Sequence, residues 1–380
     1  MKVGTVGVLA EDRDKDRRVA LVPDGVRRLA RSGLAVLVET GAGAQARYRD
    51  SAYEAAGAAV AGREEVLEKS DVLLSVGRPP QADLDRLRAG QALVGMLDPQ
   101  SDPEGFERLS ARGVIAVSME RLPRTLSRAQ TMDVLTSQAG VAGYRAALVA
   151  AETYDRYLPM LITAAGTSRP ARVLVLGAGV AGLSAIATAR RLGAVVTGYD
   201  VRPEAKGEVE SLGGRWLELS SIASGAGEGG YARALTEEEQ KAQQAELESL
   251  LTGFDIVITT AAVPGRRPPL LISADGVGNM ANGSVIVDLA AGPLGGNVEG
   301  TVDGSSIETP NGTTIVGLGD AASQVPGAAS DALSANYLAV ITTLAKDGEL
   351  TIDPADPVHA AIVVAAPKNT GETDARLTSL

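Results

Sequence analysis

A glycine-rich turn in the middle of the chain has the residue types and spacing that hold a pyrophosphate. It follows the apolar run Val173–Leu176 and precedes a helical pattern over Leu183–Leu192. In such a turn the first glycine permits the tight bend, the second lets the backbone approach the phosphates, and the third allows close packing of helix on strand. Free N–H groups at the start of the helix then bind the phosphates. The residues predicted to contact a dinucleotide here are Gly177, Ala178, Gly179, Val180 and Gly182.

An acidic residue ends the next predicted strand. Asp200 ends this strand. Counted from Gly182, it lies close to the spacing of about 20 residues that places a carboxylate on the adenosine ribose. A carboxylate there accepts hydrogen bonds from the ribose hydroxyls and repels a 2′-phosphate, which favours NAD(H) over NADP(H). Arg202 lies two residues further on and weakens that preference.

The chain has little equipment for acid–base catalysis. It has no Cys and one His, His359, which is remote in sequence from the predicted site and is expected at the surface. A dehydrogenase that also moves a proton usually needs a His or Lys beside the nicotinamide. Transfer between two nicotinamide rings needs no proton relay, because one C–H bond is lost and another is gained. The residues therefore favour that reaction, and no metal site is predicted.

Composition and charge exclude several classes of protein. The formal net charge of −11 argues against sequence-independent binding of nucleic acid. The longest uncharged stretch, Val173–Ala189, contains three glycines and is too broken for a membrane span. We expect a cytoplasmic protein without direct membrane insertion, which could still lie on a membrane through a partner.

Two series of alternating strand and helix patterns predict the fold. Short β-like runs separated by amphipathic stretches are typical of βαβ units and a parallel sheet. A long helical pattern over Met132–Tyr157 separates the series, and another over Ser330–Leu344 closes the second. We expect an α/β protein with two Rossmann-type, doubly wound parallel-sheet domains joined by long helices. The expected domains are 1–135 with about 328–380, and 136–327. The predicted strands are Val3–Leu9, Leu34–Glu39, Asp71–Val76, Ala92–Leu97 and Val114–Met119 in the first series, and Arg172–Leu176, Val195–Asp200, Asp255–Thr260, Ser284–Leu289 and Thr313–Val316 in the second.

Two features allow more than one interpretation. The Gly/Ser-rich stretch Ser220–Arg233 is either a surface linker or a lid that covers a ligand with its single aromatic residue, Tyr231. Asp288, at the end of a predicted strand, is either a ligand-binding carboxylate or a residue that caps a loop.

Long motifs resemble one family. The sequence from Arg128 to Gln138, RAQTMDVLTSQ, is similar to the signature of the proton-translocating nicotinamide nucleotide transhydrogenases. The resemblance extends to about residue 345. It implies the soluble NAD(H)-binding component of such an enzyme. The other similar stretches are Gly143–Arg145, Ile162–Gly166, Gly177–Gly182, Gly230–Ala232, Thr259–Gly265, Ser284–Ala291 and Gly295–Asn297.

The resemblance also implies site residues and partners. The residues that would contact the nicotinamide end of NAD(H) are Arg124, Gln130, Asp133 and either Thr136 or Ser137. Gln130 would also reach toward the nucleotide of the partner. The remaining residues carried over as cofactor contacts are Arg128, Asp200, Arg202, Tyr231, Thr260, Val263, Pro264 and Gly265. The component would be a homodimer on the inner (plasma) membrane, held there by membrane subunits that carry NADP(H). Hydride would pass directly between the two nucleotides while a proton crosses the membrane.

Two other functions remain open. The segment Arg17–Pro23 is shared with alanine dehydrogenases, which makes an NAD-dependent amino-acid dehydrogenase the alternative enzyme. That family's substrate lysine is replaced by the sequence Gly77-Arg-Pro79, and its catalytic histidine is absent from Gly95–Asp98. A non-catalytic subunit that senses NAD(H) is a further alternative.

Overall fold

The computed structural model describes residues 3–220, 236–262, 267–346 and 349–367. Packing divides the chain into two units, Met1–Ser137 with Pro326–Leu380, and Gln138–Val325. The strands are β1 Thr5–Val8, β2 Ala35–Glu39, β3 Ala59–Ala61, β4 Val72–Leu74, β5 Ala92–Gly95, β6 Ile115–Ser118, β7 Leu161–Thr163, β8 Gly166–Ser168, β9 Arg172–Leu176, β10 Val195–Tyr199, β11 Arg215–Trp216, β12 Ile256–Thr259, β13 Val285–Asp288, β14 Ser306–Glu308, β15 Thr314–Gly317, β16 Ala345–Lys346, β17 Glu349–Leu350 and β18 Val363–Ala365. The helices are α1 Pro23–Arg31, α2 Asp50–Ala55, α3 Arg63–Lys69, α4 Gln81–Leu84, α5 Pro103–Ala111, α6 Val134–Thr153, α7 Val180–Arg191, α8 Ala205–Ser211, α9 Glu237–Leu250, α10 Ala274–Gly278, α11 Pro326–Leu344 and α12 Pro357–Ile362.

Each unit is built on a seven-stranded sheet, counted over the described residues. The order in the first unit is β18-β6-β5-β4-β1-β2-β3, with only β18 antiparallel to its neighbour. The order in the second unit is β11-β10-β9-β12-β13-β15-β14, with only β14 antiparallel. In both sheets the strand order reverses beside the strand that comes first in the chain, between β1 and β4 and between β9 and β12, and this is the point where doubly wound folds bind ligands. The predicted α/β fold with two Rossmann-type sheets is confirmed.

Buried apolar strands make the core of each sheet. In the second unit β12 and β13 are buried along their whole length, as expected for parallel strands that are covered on both faces. The apolar side chains form one cluster on each side of the sheet, such as that around Val175 and Ile258 and that around Leu174 and Val257. This packing holds the carboxyl ends of the central strands in fixed positions.

The structure corrects several predicted bounds. The short helix Asp50–Ala55 is followed by the edge strand Ala59–Ala61, which was not predicted. The long helix begins at Val134 because Asp133 caps it, and it ends at Thr153. The hairpin of β7 and β8, the edge strands β11 and β14, and the antiparallel β18 were not predicted. The ten predicted strands all exist, mostly with shorter bounds.

Candidate functional site

The glycine turn has the backbone geometry that the sequence predicts. Gly177 follows β9 with a φ of 98°, a left-handed conformation that favours glycine. A Cβ on Gly177 would lie 2.5 Å from Thr260 Oγ1, and a Cβ on Gly182 would lie 1.8 Å from the Gly177 carbonyl oxygen. Neither position can accept a side chain without a shift of its neighbours. A Cβ on Gly179 would meet no heavy atom within 4 Å, so the backbone there faces open space.

The first turn of α7 fits a phosphate group. Gly179 is the N-cap residue and supplies no side-chain hydrogen bond to the first N–H groups of the helix. Those N–H groups and the helix dipole attract an anion. Ala178 is buried beside them, and Val180 lies exposed at the helix start. The turn therefore has the donors and the space that the pyrophosphate of a dinucleotide requires.

Asp200 lies directly after β10, and its carboxylate bridges the turn and Arg202. Ala178 N donates to Asp200 Oδ2 at 2.8 Å. Arg202 donates from Nε to Oδ1 at 2.9 Å and from Nη2 to Oδ2 at 3.0 Å. The hydrogen bond with Asp200 raises the pKa of the Arg202 guanidinium. Because Arg202 neutralises this carboxylate, its repulsion of a 2′-phosphate is weaker than Asp200 alone would exert.

Asp288 organises a loop. It is fully buried and accepts hydrogen bonds from Thr259 Oγ1 at 2.9 Å and from Asn297 N at 2.9 Å. Burial raises the pKa of Asp288, although these hydrogen bonds oppose the shift. Of the two interpretations that the sequence allowed, the loop-capping role matches these contacts.

Arg124, Asp133 and Thr136 form one hydrogen-bonded group in the first unit. Arg124 donates from Nε to Asp133 Oδ2 at 3.0 Å and from Nη2 to Thr136 Oγ1 at 2.7 Å. Thr136 donates to Asp133 from its backbone N at 2.9 Å and from Oγ1 at 2.6 Å. Burial raises the pKa of Asp133, but the hydrogen bonds from Thr136 and Arg124 outweigh burial and the pKa is lowered. The ionised Asp133 therefore caps α6 and orients the Arg124 guanidinium.

Gln130 lies in a 3₁₀ segment, Ser127–Met132, and its side chain is exposed. Asn336 of α11 links this segment to Ser137. Its Nδ2 donates to the Thr131 carbonyl oxygen at 2.8 Å, and its Oδ1 accepts from Ser137 Oγ at 2.7 Å. Sequence reasoning missed Asn336, because no local pattern connects α11 to this segment.

Arg128 lies in the same 3₁₀ segment and is predicted to contact the cofactor. In the structure it forms an ion pair with Asp356. Its guanidinium binds both carboxylate oxygens of Asp356, with Nη1 2.8 Å from Oδ2. Asp356 also caps α12 by accepting from Val358 N at 2.8 Å. The hydrogen bond from Arg128 holds the pKa of Asp356 well below its usual range. The cofactor contact of Arg128 stays a prediction.

Four of the predicted site residues lie outside the described ranges. Thr260 is described, and it donates from N to the Leu176 carbonyl oxygen at 2.8 Å and from Oγ1 to the Gly177 carbonyl oxygen at 3.0 Å. The predicted contacts outside the described ranges are Tyr231, Val263, Pro264 and Gly265.

The single histidine is not at the surface, contrary to expectation. His359 is 3% exposed in α12, where its Nδ1 accepts a hydrogen bond from Asp353 N at 3.1 Å. The side chain packs there because Val358 and Ile362 of the same helix join the core of the first unit. Among the described ranges, no group of His, Asp or Glu side chains could hold a metal ion. None of the helices in the described stretches of the chain is both long and apolar enough to span a membrane.

Arg78, in the sequence Gly77-Arg-Pro79, forms an ion pair with the residue that caps a helix. Arg78 Nη2 forms an ion pair with Asp102, and Asp102 caps α5 by accepting from Gly105 N at 2.9 Å. Asp98, in the stretch Gly95–Asp98, donates from its backbone N to Glu120 Oε1. Neither Gly77–Pro79 nor Gly95–Asp98 contains a lysine or a histidine.

Family comparison assigns almost the whole chain. Residues 7–142 match the alanine dehydrogenase/PNT N-terminal domain, and residues 146–370 match the alanine dehydrogenase/PNT C-terminal domain. The chain belongs to the alanine dehydrogenase/PNT family. It is 40% identical over 388 aligned positions to the NAD(P) transhydrogenase subunit alpha of Cereibacter sphaeroides, covering 96% of this chain and 74% of that protein.

The chain is more similar to a transhydrogenase of known structure than to an alanine dehydrogenase of the same family. The crystal structure of transhydrogenase from Sinorhizobium meliloti superposes with a TM-score of 0.86 at 38% identity, covering 95% of this chain and 98% of that one. The alanine dehydrogenase of Bacillus subtilis is 31% identical over 302 residues, covering 78% of this chain and 73% of its own length. These findings confirm the predicted family and the prediction that the chain is an oxidoreductase of the NAD(P) transhydrogenase type.

Proposed function

We propose that this chain binds NAD(H) at the turn Gly177–Gly182 and exchanges hydride directly with NADP(H) on a partner component. The observation that carries the proposal is the open turn, in which Gly179 leaves space beside the uncapped N–H groups of α7. Asp200 and Arg202 would bind the adenosine ribose. Bound NAD(H) would supply the hydride chemistry, and the residues of this chain would hold the nucleotide in position.

The polar group of the first unit suits the nicotinamide end of the cofactor. Arg124, Asp133 and Thr136 hold one another in a fixed arrangement, which is what a positioning group needs. Gln130 is exposed and can both donate and accept, so it can bridge two nucleotides. None of these side chains needs to move a proton, because hydride transfer between nicotinamide rings requires none.

The partners proposed here follow the family resemblance. They are a second copy of this chain and membrane subunits that carry an NADP(H)-binding domain and move the proton. The chain would then be cytoplasmic and peripheral on the inner membrane. Residues 136–327 would form the NAD(H)-binding domain, and residues 1–135 with about 328–380 the other.

Isotope transfer tests the reaction. The full chain is mixed with the NADP(H)-binding component of a transhydrogenase, NADH deuterated at the transferred position of C4 and a thio-analogue of NADP⁺, in ordinary water. We expect mass spectrometry to find the deuterium in the reduced analogue. No transfer by a chain that binds NADH, or loss of the label to solvent, would reject direct transfer.

The alternative enzyme is assayed in the same preparation. We expect no NAD-dependent oxidation of alanine, because the sequence Gly77-Arg-Pro79 replaces the turn that carries the lysine of an alanine dehydrogenase, and Gly95–Asp98 lacks that family's histidine. Steady turnover with alanine would replace the proposed function by the alternative. Binding of NADH without transfer in the presence of the partner would favour the sensor.

A further inference from the structure

Three consecutive residues at the carboxyl end of β12, Thr259 to Ala261, are each held by a different partner. Thr259 Oγ1 donates to Asp288 Oδ1 at 2.9 Å. Thr260 donates to the carbonyl oxygen of Leu176, at the end of β9, and to that of Gly177 in the glycine turn. Ala261 N donates to Asn297 Oδ1 at 3.0 Å, and the Ala261 carbonyl oxygen accepts from Asn297 Nδ2 at 2.8 Å. The backbone beside the glycine turn is therefore fixed from both sides.

Asn297 is the residue that closes this arrangement. Its side chain is fully buried, and Nδ2 also donates to the Pro269 carbonyl oxygen at 2.8 Å. The amide therefore uses its acceptor once and both of its donors, which no other side chain of similar size can do. Ala261 and Pro269 flank in sequence the residues 263–266, which lie outside the described ranges.

Asp288 in turn fixes Asn297. Its Oδ2 accepts from Asn297 N at 2.9 Å and from Val298 N at 3.2 Å. A Cβ on Gly296 would lie 2.2 Å from Asp288 Oδ2, so glycine is required for this close approach. The motif Gly295-Gly-Asn297 thus has a physical reason: it brings a buried amide to a buried carboxylate.

We infer that Asn297 is a positioning residue for the glycine turn. It holds Ala261, and through it Thr260, whose Oγ1 would be 2.5 Å from a Cβ on Gly177 and 3.3 Å from one on Gly182. Thr260 therefore lies against both glycines and limits the shape of the turn. Without the amide, Thr260 is free to leave this position and the turn loses its support. The inference rests on the proposed binding of NAD(H) at this turn.

NADH titration of the full chain tests the inference. In Asn297→Ala we expect the dissociation constant for NADH to rise about 10-fold or more, because the binding-competent turn becomes a minor state. Hydrogen exchange across residues 256–262 should also accelerate. Asn297→Ser, which keeps a hydroxyl near Ala261 but cannot reach Pro269, should show a smaller rise in the same direction.

Asn311 offers a matched control. Its Nδ2 also clamps carbonyl oxygens in the second unit, those of Val277 and Met280, at 3.1 Å each. We expect Asn311→Ala to lower the melting temperature and leave NADH affinity unchanged. Equal rises in the dissociation constant for Asn297→Ala and Asn311→Ala would reduce Asn297 to a structural role.

The outcomes separate this inference from the proposed function. A wild-type chain that does not bind NADH would overturn both. A wild-type chain that binds, with unchanged affinity in Asn297→Ala, would overturn only the inference. If both Asn297 variants unfold, Thr260→Val decides: it loses the bond to the Gly177 carbonyl oxygen, so we expect weaker NADH binding, and wild-type affinity would overturn the inference.

Discussion

The ion pair of Asp200 and Arg202 sets the charge at the proposed ribose site. Asp200 is 8% exposed, and Arg202 binds it through two guanidinium nitrogens. Such charge-assisted hydrogen bonds are among the stronger polar contacts in proteins. Removing Asp200 would do two things at once, since it deletes the acceptor for ribose hydroxyls and releases a guanidinium that can bind a phosphate.

We therefore predict that Asp200→Ala weakens NADH binding and raises the affinity for NADPH relative to the affinity for NADH. The loss of one or two charge-assisted hydrogen bonds costs roughly 1.5–3 kcal/mol each. Calorimetric titration with both nucleotides measures the ratio of their affinities. Glu204→Gln removes the same charge from the exposed end of the same loop and should leave the ratio unchanged. An unaltered NADH affinity in Asp200→Ala would show that the ribose binds elsewhere.

Gln130 and Asp133 differ in what they do for the folded chain. Asp133 caps α6 through Thr136, whereas the Gln130 side chain is exposed. Loss of a cap typically costs about 1 kcal/mol of stability. A role in stability and a role in transfer can therefore be separated at these two positions.

We predict that Gln130→Asn keeps the melting temperature and holds NADH affinity within a few-fold. Transhydrogenation should fall about 10-fold or more, a barrier change of about 1.4 kcal/mol, because the shorter amide no longer bridges the two nucleotides. Single-turnover kinetics with the partner component gives the rate of transfer. Normal turnover with a lowered melting temperature would leave Gln130 with a structural role only.

The turn between β9 and α7 contains two glycines with opposite requirements. Gly182 is packed against the Gly177 carbonyl oxygen, while Gly179 faces open space. Gly179 has a φ of −77°, which any residue can adopt. Only the proposed ligand, and not the fold, requires glycine at position 179.

We predict that Gly179→Ala folds with an unchanged melting temperature but binds NADH at least about 10-fold more weakly, because its methyl group occupies the space of the pyrophosphate. Gly182→Ala should lower stability by about 1–3 kcal/mol through overpacking of helix on strand. Thermal denaturation and NADH titration of both variants measure this. Unweakened binding by Gly179→Ala would place the phosphates elsewhere.

The central strands and the glycine turn were predictable because their signals are local. Buried parallel strands such as β9 and β13 are continuous apolar runs, and the turn has fixed spacing. The edge strands β3 and β11 are short and partly exposed, so their sequences carry no comparable pattern. Hydrophobic periodicity alone could not identify them.

The partners of the site residues were not predictable. Asn336 and Asp356 lie about two hundred residues from the segment that they hold, and only the folded chain brings them together. Asn297 was recognised as a member of a motif, but its bonds to Ala261 and Pro269 required the structure. Side-chain hydrogen bonds across such distances follow from packing and leave no periodic signal.

A carboxyl group with a shifted pKa joins the ends of β1 and β4 in the first unit. Glu11 is half-buried, and its Oε1 accepts from Val76 N at 2.6 Å. Desolvation raises the pKa of Glu11 to about 7, with Asp16 adding to the shift and the Val76 hydrogen bond and Arg63 opposing it. Between pH 4.5 and 7 the folded state keeps this proton and the unfolded state releases it, so stability falls as the pH rises.

We predict that Glu11→Gln flattens this decline, because an amide keeps the hydrogen bond to Val76 and does not ionise. The contribution of Glu11 is at most about 3 kcal/mol, and its slope about 1.4 kcal/mol per pH unit. Denaturant unfolding from about pH 5 to about pH 8 measures it. Glu54→Gln, a change at an exposed position of α2, should keep the wild-type slope. Parallel curves for Glu11→Gln and wild type would show that Glu11 does not titrate in this range.

At the scale of the molecule, the two units differ in which stretches of the chain form them. The second unit is continuous, whereas the first combines the N-terminal residues with those after Val325. Helix α11 contributes Leu333, Tyr337 and Val340 to the core of the first unit. Its Ser330 Oγ accepts from Val19 N at 3.0 Å. The first unit thus depends on a helix that follows the whole of the second unit in sequence.

We predict that a chain truncated after Val325 loses the first unit and keeps the second. Each buried apolar side chain contributes about 1.5–3 kcal/mol to the free energy of unfolding. Because folded units are only marginally stable, loss of the buried side chains of α11 would unfold the first unit. ADP-ribose, which lacks nicotinamide, should still bind within a few-fold of its full-length affinity, because the glycine turn and Asp200 lie within residues 138–325. Limited proteolysis identifies the surviving unit and calorimetry measures the binding, with a chain truncated after Pro367, which keeps α11 and α12, as the control. If ADP-ribose binding disappears together with the first unit while the control binds normally, the second unit does not fold on its own, and folding of the nucleotide site requires the whole chain.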